Sequence, residues 1–295
     1  MNNTVSKTFR HASNVISISD IVIPWTRTKK GDNDKNNKIR ELIVCATVNK
    51  AVPDNFYTDE EYGSRWKTMR SSINTFLNEI GADPDNSTME LKGGRKFNFD
   101  FILTTNGEEK KIELKFGATT VNGCPQFVSP TQPSRFMTKN FEKYWHDEGP
   151  LDTISERAGL TKPDFDTYVN EVSGNAPPCM KEYQTMYKTD KAFSDFCKET
   201  NTQAIKKFMT QTQLRADLLT NYLVQSQRGK IYMLYNPDTE SFHVEYANLN
   251  DYVIIRQTHQ THNSFHCETL TGKKLKVLLR WKNGNGIAFP AFQIS

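Results

Sequence analysis

The chain has 295 residues and a formal net charge of +4, and 24% of its residues are charged. This length can bury a full hydrophobic core, and the composition is that of a globular protein, which excludes an intrinsically disordered chain. No apolar run approaches the roughly 20 residues of a membrane-spanning helix, and the N-terminus lacks the apolar stretch of a secretory signal. We therefore expect an intracellular protein, in which the five scattered cysteines stay reduced.

The first half of the chain begins with two apolar segments, 15–25 and 39–48, which are strand-like or short-helical. Between them lies a polar, turn-prone stretch. Apolar residues at three- and four-residue spacing then predict a helix over 59–80. Three short strands are expected to follow it, over 88–91, 97–104 and 110–117.

The second half predicts an insertion and further strands. Residues 128–200 are rich in aromatic, proline and charged residues and are interpreted as an inserted helical subdomain. A helix is expected over 203–227, followed by strands up to 247, and a terminal hairpin is expected over 274–294. The sequence thus predicts one domain over 1–295, whose core comprises 59–127 and 203–247.

A β-hairpin carries the functional argument. Asn106-Gly107 is the strongest short-range hairpin signal, because both central residues of a type I′ turn need a positive φ. A two-residue loop at this position sets Asp100 opposite Glu113. One face of the hairpin then carries an apolar ladder, in which three pairs are expected: Phe101 with Ile112, Phe99 with Leu114, and Phe97 with Phe116.

The other face of this hairpin carries Asp100, Glu113 and Lys115. Facing carboxylates repel each other, and a divalent cation between them removes that penalty. Mg²⁺ takes oxygen ligands and commonly binds through one or two carboxylates together with a substrate phosphate. Lys115 lies two residues after Glu113 on the same face, where it could orient or deprotonate a water molecule and offset phosphate charge.

Asp100 followed by a hairpin and Glu113-Leu114-Lys115 resembles the core signature of the PD-(D/E)xK nuclease superfamily, which includes many type II restriction endonucleases. The resemblance covers about 59–127 and 203–235. It implies an α/β fold with a restriction-endonuclease-like αβββαβ core, a mixed central sheet, a helical insertion and additional C-terminal strands. The chain departs from the motif at Phe99, where the superfamily often has proline.

This resemblance also implies roles for individual residues. Asp100, Glu113 and the backbone carbonyl of Leu114 would be ligands of Mg²⁺, for which Mn²⁺ would substitute, and Lys115 would be the catalytic lysine. Lys115-Phe116-Gly117 and Pro125-Gln126-Phe127 are similar to nuclease-like proteins of large DNA viruses. Separately, Gln126 is a candidate for contacting substrate or water near the metal, although a loop amide without a role fits as well.

Other candidates have plainer alternatives. An additional acid on the preceding helix is common in the superfamily. Glu61 is preferred over Glu79 and over Glu90 on the first strand, although for any one of these acids a solvated residue is the favoured interpretation. Lys276, Arg280 and Lys282 could contact a DNA backbone or form a solvated cationic face. The spacing of His259, His262, His266 and Cys267 matches no common structural zinc site.

The leading functional hypothesis is a Mg²⁺-dependent, sequence-specific endonuclease that cleaves double-stranded DNA as a homodimer. A repair or recombination exonuclease with the same core is the first alternative. A catalytically silent nucleic-acid-binding module, in which the hairpin only binds phosphate, is the second.

Overall fold

The computed structural model describes residues 6–27, 33–92, 97–123, 126–127, 133–173, 180–281 and 290–295. Within them the helices are α1 (Asn33–Val48), α2 (Asp54–Thr58), α3 (Gly63–Glu79), α4 (Phe141–Asp147), α5 (Pro150–Ala158), α6 (Phe165–Ser173), α7 (Met180–Thr189), α8 (Lys191–Met209) and α9 (Ala216–Gln227). The strands are β1 (Thr8–His11), β2 (Asn14–Ser17), β3 (Ser87–Leu91), β4 (Phe101–Thr105), β5 (Glu108–Phe116), β6 (Gln126–Phe127), β7 (Lys230–Asn236), β8 (Ser241–Tyr246), β9 (Ile254–Gln260), β10 (Ser264–Thr269), β11 (Lys274–Trp281) and β12 (Pro290–Ile294). Among these helices, none combines the length and the apolar character that crossing a membrane requires.

The chain divides into two compact units. The first unit contains residues 1–124 and 227–247, and the second contains 125–226 and 248–295. The predicted core included 203–247, but of that stretch only 227–247 belongs to the first unit. Each unit has its own five-stranded sheet, and the single nuclease domain over 1–295 stays a prediction.

The first unit is built on a five-stranded sheet of order β3-β4-β5-β7-β8. Strands β5 and β7 are parallel, while the other neighbours are antiparallel. This confirms the expectation of an α/β protein with a mixed central sheet. Helix α3 precedes the three antiparallel strands, and β7 joins them in parallel after the chain has passed through the second unit.

The hairpin of β4 and β5 has the predicted turn and register. Asn106 and Gly107 have φ angles of +50° and +78°, as a type I′ turn requires. The paired residues run from Thr105 opposite Glu108 to Phe101 opposite Ile112. Over these five pairs the register predicted from the sequence is confirmed.

The core of the first unit lies between one face of the sheet and helices α1 and α3. Phe101, Leu103 and Ile112 on the hairpin are fully buried, together with Trp66 and Phe76 on α3. Each such side chain contributes roughly 1.5–3 kcal/mol through burial. The opposite face of the sheet carries a smaller apolar cluster of Val121, Tyr232 and Leu234.

Two helices of the first unit differ from the predicted elements. The segment 39–48 belongs to the 16-residue helix α1, and Ile43, Val44 and Cys45 within it are all buried. Because the C-terminal half of α1, residues 42–48, is buried on every side, this part of the sequence lacks the amphipathic period that identifies a helix. Helix α3 begins only at Gly63, because the Asp59 side chain accepts the Glu61 and Tyr62 N–H groups in the turn before it.

The prediction of a single helix over 203–227 is wrong. Helix α8 ends at Met209 and α9 begins at Ala216. The residues between them return alongside the segment before α4: the Thr138 N–H donates to the Gln213 carbonyl at 2.9 Å, and the Arg215 N–H donates to the Phe136 carbonyl at 2.8 Å. These hydrogen bonds replace those of a continuous helix.

Strands β11 and β12 confirm the predicted terminal hairpin pairing, although the residues that connect them lie outside the described part. They belong to a five-stranded sheet of order β6-β12-β11-β10-β9. Leu275, Val277 and Leu279 are buried on one face of this sheet, whereas Lys274 and Lys276 are exposed on the other. The alternation read from the sequence is therefore present.

Candidate active site

Asp100 lies in a bend immediately before β4 rather than inside the strand. Its N–H donates to the Ile112 carbonyl at 3.0 Å, although Ile112 is already the partner of Phe101 in the ladder. One Asp100 carboxylate oxygen accepts the Leu114 N–H at 2.8 Å. In a regular antiparallel ladder a backbone carbonyl of β4 would accept the Leu114 N–H. Here the Asp100 carboxylate accepts it instead.

This bend corrects part of the predicted apolar ladder. The expected pairs of Phe99 with Leu114 and of Phe97 with Phe116 are absent from the described ladder, because β4 starts at Phe101. Phe99 is buried with its ring 5.7 Å from the Lys111 ammonium, and Phe97 is 45% exposed. Asp100 is likewise not a regular cross-strand partner of Glu113, and it approaches β5 at Leu114 instead.

Glu113 is held by two lysine ammonium groups. Its side chain is only 11% exposed. Oε1 of Glu113 pairs with Lys115 Nζ, as expected for residues two apart on one strand face, and Oε2 lies 3.4 Å from Lys230 Nζ. The structure therefore brings together the predicted glutamate and lysine and adds a second lysine that the sequence analysis missed.

Lys230 is the first residue of β7, and its side chain is 3% exposed. Burial lowers its pKa, while the charges of Glu113 and Asp100 oppose that change. A sequence pattern does not reveal this residue, because its proximity to Glu113 depends on the parallel pairing of β5 and β7.

Glu41 on α1 is a third carboxylate in this region, also missed by the sequence analysis. Burial, followed by the charges of Asp100 and Glu113, raises its pKa to about 7, and Lys115 and Lys38 act in the opposite direction. An available signal was the position of Glu41 at the start of the largely apolar run 42–48. Glu41, rather than the predicted Glu61, is thus a helix carboxylate that interacts with Asp100.

Opposing effects also act on the pKa of Asp100. Its pKa is raised chiefly by burial and then by the charge of Glu113. Lys115, the Leu114 N–H and Lys230 all favour the charged carboxylate and limit this rise. The acids of this cluster therefore repel one another in a partly desolvated place, where an added cation would relieve the repulsion.

A cleft of about 530 Å³ gives access to Asp100. Its lining consists of Asn14, Asp34, Asn37, Lys38, Glu41, Leu42, Leu91 and Asp100. The side chains that line it are mainly polar, and two of the three clustered acids, Asp100 and Glu41, face it. A small hydrophilic ligand such as a hydrated cation fits this chemistry better than an apolar one.

The donor set near β5 fits a hard divalent cation. Asp100 and Glu113 supply carboxylate oxygens. The N–H and the carbonyl of a strand residue point to the same edge of the strand. Because Asp100 accepts the Leu114 N–H, the Leu114 carbonyl also points towards Asp100. Within the described residues, no three His, Cys, Asp or Glu side chains are grouped closely enough to hold a metal ion by themselves. Mg²⁺ does not need such a group, because it commonly retains waters and takes substrate phosphate as a ligand.

Several predicted residues lie away from this cluster or outside the described part. Glu61 is exposed in the turn before α3, and Glu90 on β3 is paired with Lys92 at 2.5 Å. Gln126 belongs to β6, which pairs with β12 in the second unit, and its side chain is outside the described residues, as is all of Lys282. Their functional roles remain predictions.

The second unit places the remaining candidates on the sheet of β9 to β12. Lys276 is exposed, whereas Arg280 is partly buried and donates to the Gln293 side chain at 2.9 Å. The rings of His259 and His266 stack with centroids 4.0 Å apart, while Cys267 is buried on the opposite face. This arrangement agrees with strand histidines rather than with a zinc site.

No protein-family model, curated protein or solved structure matches this chain.

Proposed function

We propose that this protein is a metal-dependent DNA endonuclease with a restriction-endonuclease-like core. The observation that carries the proposal is the hydrogen bond from the Leu114 N–H to Asp100, which sets the Asp100 carboxylate beside the Glu113-Leu114-Lys115 strand. The order of one helix, three antiparallel strands and a later parallel strand supports it. The resemblance to the PD-(D/E)xK superfamily supplies the reaction class.

The cation is proposed to bind Asp100, Glu113 and the Leu114 carbonyl. A bound Mg²⁺ or Mn²⁺ would supply Lewis-acid polarisation of the phosphate and a lower pKa for water. Lys115 would hold the attacking water in line and offset the charge that develops on the phosphate oxygens. Glu41 would add a further carboxylate at the cleft, in the role that the sequence analysis gave to Glu61.

Double-stranded DNA is the proposed substrate, cleaved by a homodimer. Two active sites are needed to cut both strands of a palindromic site, and a twofold dimer provides them. An exonuclease would use the same residues, and a silent binding module would retain only the phosphate contacts. The carboxylate cluster favours catalysis over simple binding, because carboxylates repel phosphate unless a cation lies between them.

The test is incubation of purified protein with supercoiled and linear DNA, in Mg²⁺ and in EDTA. We expect discrete fragments with Mg²⁺ and none with EDTA. Progressive shortening of linear DNA would indicate the exonuclease instead. Retardation of DNA without cleavage under all conditions would contradict the proposal and favour the binding module.

Lys276 is proposed to contact the DNA backbone from the exposed face of the second sheet. Lys276→Ala is expected to weaken binding of any DNA sequence and to reduce the slope of log K against log salt by about 1, because one phosphate contact is lost. Lys143→Ala, at an exposed position on α4, is the matched control and should leave the slope unchanged. An unchanged slope in Lys276→Ala, measured by fluorescence anisotropy, would show that this face is merely solvated.

A further inference from the structure

The two lysines that hold Glu113 have different surroundings. Lys115 is 27% exposed, whereas the Lys230 side chain is 3% exposed at the start of β7. Each lysine takes a different oxygen of the same carboxylate. One ammonium group therefore has access to solvent, and the other is enclosed by protein.

Lys230 cannot leave Glu113 without a large penalty. Removing an ammonium group from water is unfavourable unless a counter-charge compensates it, so the buried Lys230 depends on Glu113. The ring of Tyr232, 5.6 Å from Lys230 Nζ, is an additional neighbour but carries no charge that could replace the carboxylate. Lys115 can move into solvent at much smaller cost.

Because the two lysines differ in exposure, the two oxygens of Glu113 have different surroundings. Lys230 holds Oε2, and Oε1 would become accessible to another cation if the Lys115 ammonium moved into solvent. The Lys230 ammonium close to Glu113 also repels a divalent cation, because Coulomb interactions in a partly buried place are only weakly screened.

We infer that Lys230 is a positioning residue that fixes the Glu113 carboxylate for metal binding and weakens the affinity of the site for the cation. The inference rests on the proposed function, because it requires that Glu113 bind a divalent ion. It assigns the two lysines different tasks: Lys230 orients a metal ligand, and Lys115 is available to water and phosphate. Lys230 itself touches neither substrate nor the reacting atoms.

The test compares Lys230→Met with Lys111→Met, because Lys111 is the partner of Lys230 in the β5–β7 register and is exposed. Mn²⁺ binding is measured by calorimetry without DNA, and turnover is measured at saturating Mn²⁺. Lys230→Met is expected to bind Mn²⁺ at least tenfold more tightly and to turn over at least tenfold more slowly. Lys230→Arg should recover part of the turnover, and Lys111→Met should match the wild type in both measurements.

Two results would overturn the inference. One is an unchanged Mn²⁺ affinity in a folded Lys230→Met protein, and the other is a joint loss of affinity and turnover, which a purely structural role would cause. If Lys230→Met does not fold, the pair is tested through stability: Glu113→Gln should lower the Tm, and adding Lys230→Met to it should restore the Tm. Failure of that restoration contradicts the pairing.

The proposed nuclease activity and this inference can be refuted independently of each other. A wild type that cleaves DNA while Lys230→Met keeps its Mn²⁺ affinity would refute the inference alone. A wild type that binds Mn²⁺ with the predicted dependence on Lys230, but cleaves no DNA, would refute only the nuclease.

Discussion

Lys115→Ala is expected to reduce DNA cleavage by about 10²- to 10³-fold, the loss typical of removing one group that stabilises charge in a transition state. The physical reason is that the Lys115 ammonium is the more exposed of the two that hold Glu113, and so it can reach both water and phosphate. Mn²⁺ binding should persist, because Asp100 and Glu113 are intact. Cleavage of supercoiled DNA and calorimetric Mn²⁺ binding measure the two effects separately.

The matched control for Lys115 is Lys111→Ala. Lys111 lies on the same strand and, by alternation, on the same face, but on the other side of Glu113. A general loss of positive charge on β5 would affect both variants alike. Retention of more than a tenth of wild-type activity by Lys115→Ala would contradict the role proposed for this lysine.

Asp100→Asn is expected to abolish the stabilisation that a divalent cation gives to the folded protein. A cation present at about 100 times its Kd stabilises by roughly 2.7 kcal/mol, which appears as a rise in Tm. Asparagine has the shape of aspartate and can still accept the Leu114 N–H, but it carries no charge for the cation. Asp85→Asn is the control, because Asp85 is exposed and pairs with Lys50.

The Tm, with and without a divalent cation, should also depend on pH. Burial and neighbouring carboxylates raise the pKa of Asp100, and they raise the pKa of Glu41 to about 7. The folded state therefore holds these protons more tightly than the unfolded state, and the resulting stabilisation is complete below about pH 4 and is lost as pH rises through about 7. Metal-free protein should lose stability between about pH 4 and about pH 7 and change little above that, and Mg²⁺ should raise the Tm more at pH 8 than at about pH 5.5.

Asp100→Asn should also change the metal-free protein. Because the amide removes one of the repelling charges, the variant is expected to be more stable than the wild type at pH 8 without metal. A variant that is less stable there, or that gains as much Tm from Mg²⁺ as the wild type, would contradict the assignment of Asp100 as a ligand.

The hairpin at the centre of the site could be predicted because its information is local. Asn106-Gly107 determines the turn, and the turn determines which residues of β4 and β5 are opposite each other. Glu113 and Lys115 follow from the two-residue period of a strand. These features need no knowledge of the rest of the chain.

The bend at Asp100 could not be predicted by the same reasoning. The alternation of Phe97, Phe99 and Phe101 continues through it, so the sequence pattern favours an unbroken strand. In the structure the Asp100 N–H and Phe101 both meet Ile112, which ends the regular register. A carboxylate that bonds a backbone N–H offers an alternative to a ladder hydrogen bond, and side-chain identity alone does not show which will form.

Glu41 and Lys230 were missed for long-range reasons. Glu41 reaches the cluster only because α1 packs on the sheet face that carries Phe101 and Ile112, and the apolar second half of α1, residues 42–48, resembles a buried strand in sequence. Lys230 reaches Glu113 only because β7 pairs in parallel with β5, more than 100 residues away in the chain. Such residues are found from topology, not from spacing.

The central claim is that Asp100 and Glu113 bind one divalent cation together. The most direct measurement is a crystal structure of the wild-type protein grown with Mn²⁺, with anomalous scattering data that locate the metal. We expect a peak about 2.1 Å from an oxygen of each carboxylate, with waters completing the octahedron. A peak that contacts only one of these side chains, or none near β5 at saturating Mn²⁺, would contradict it.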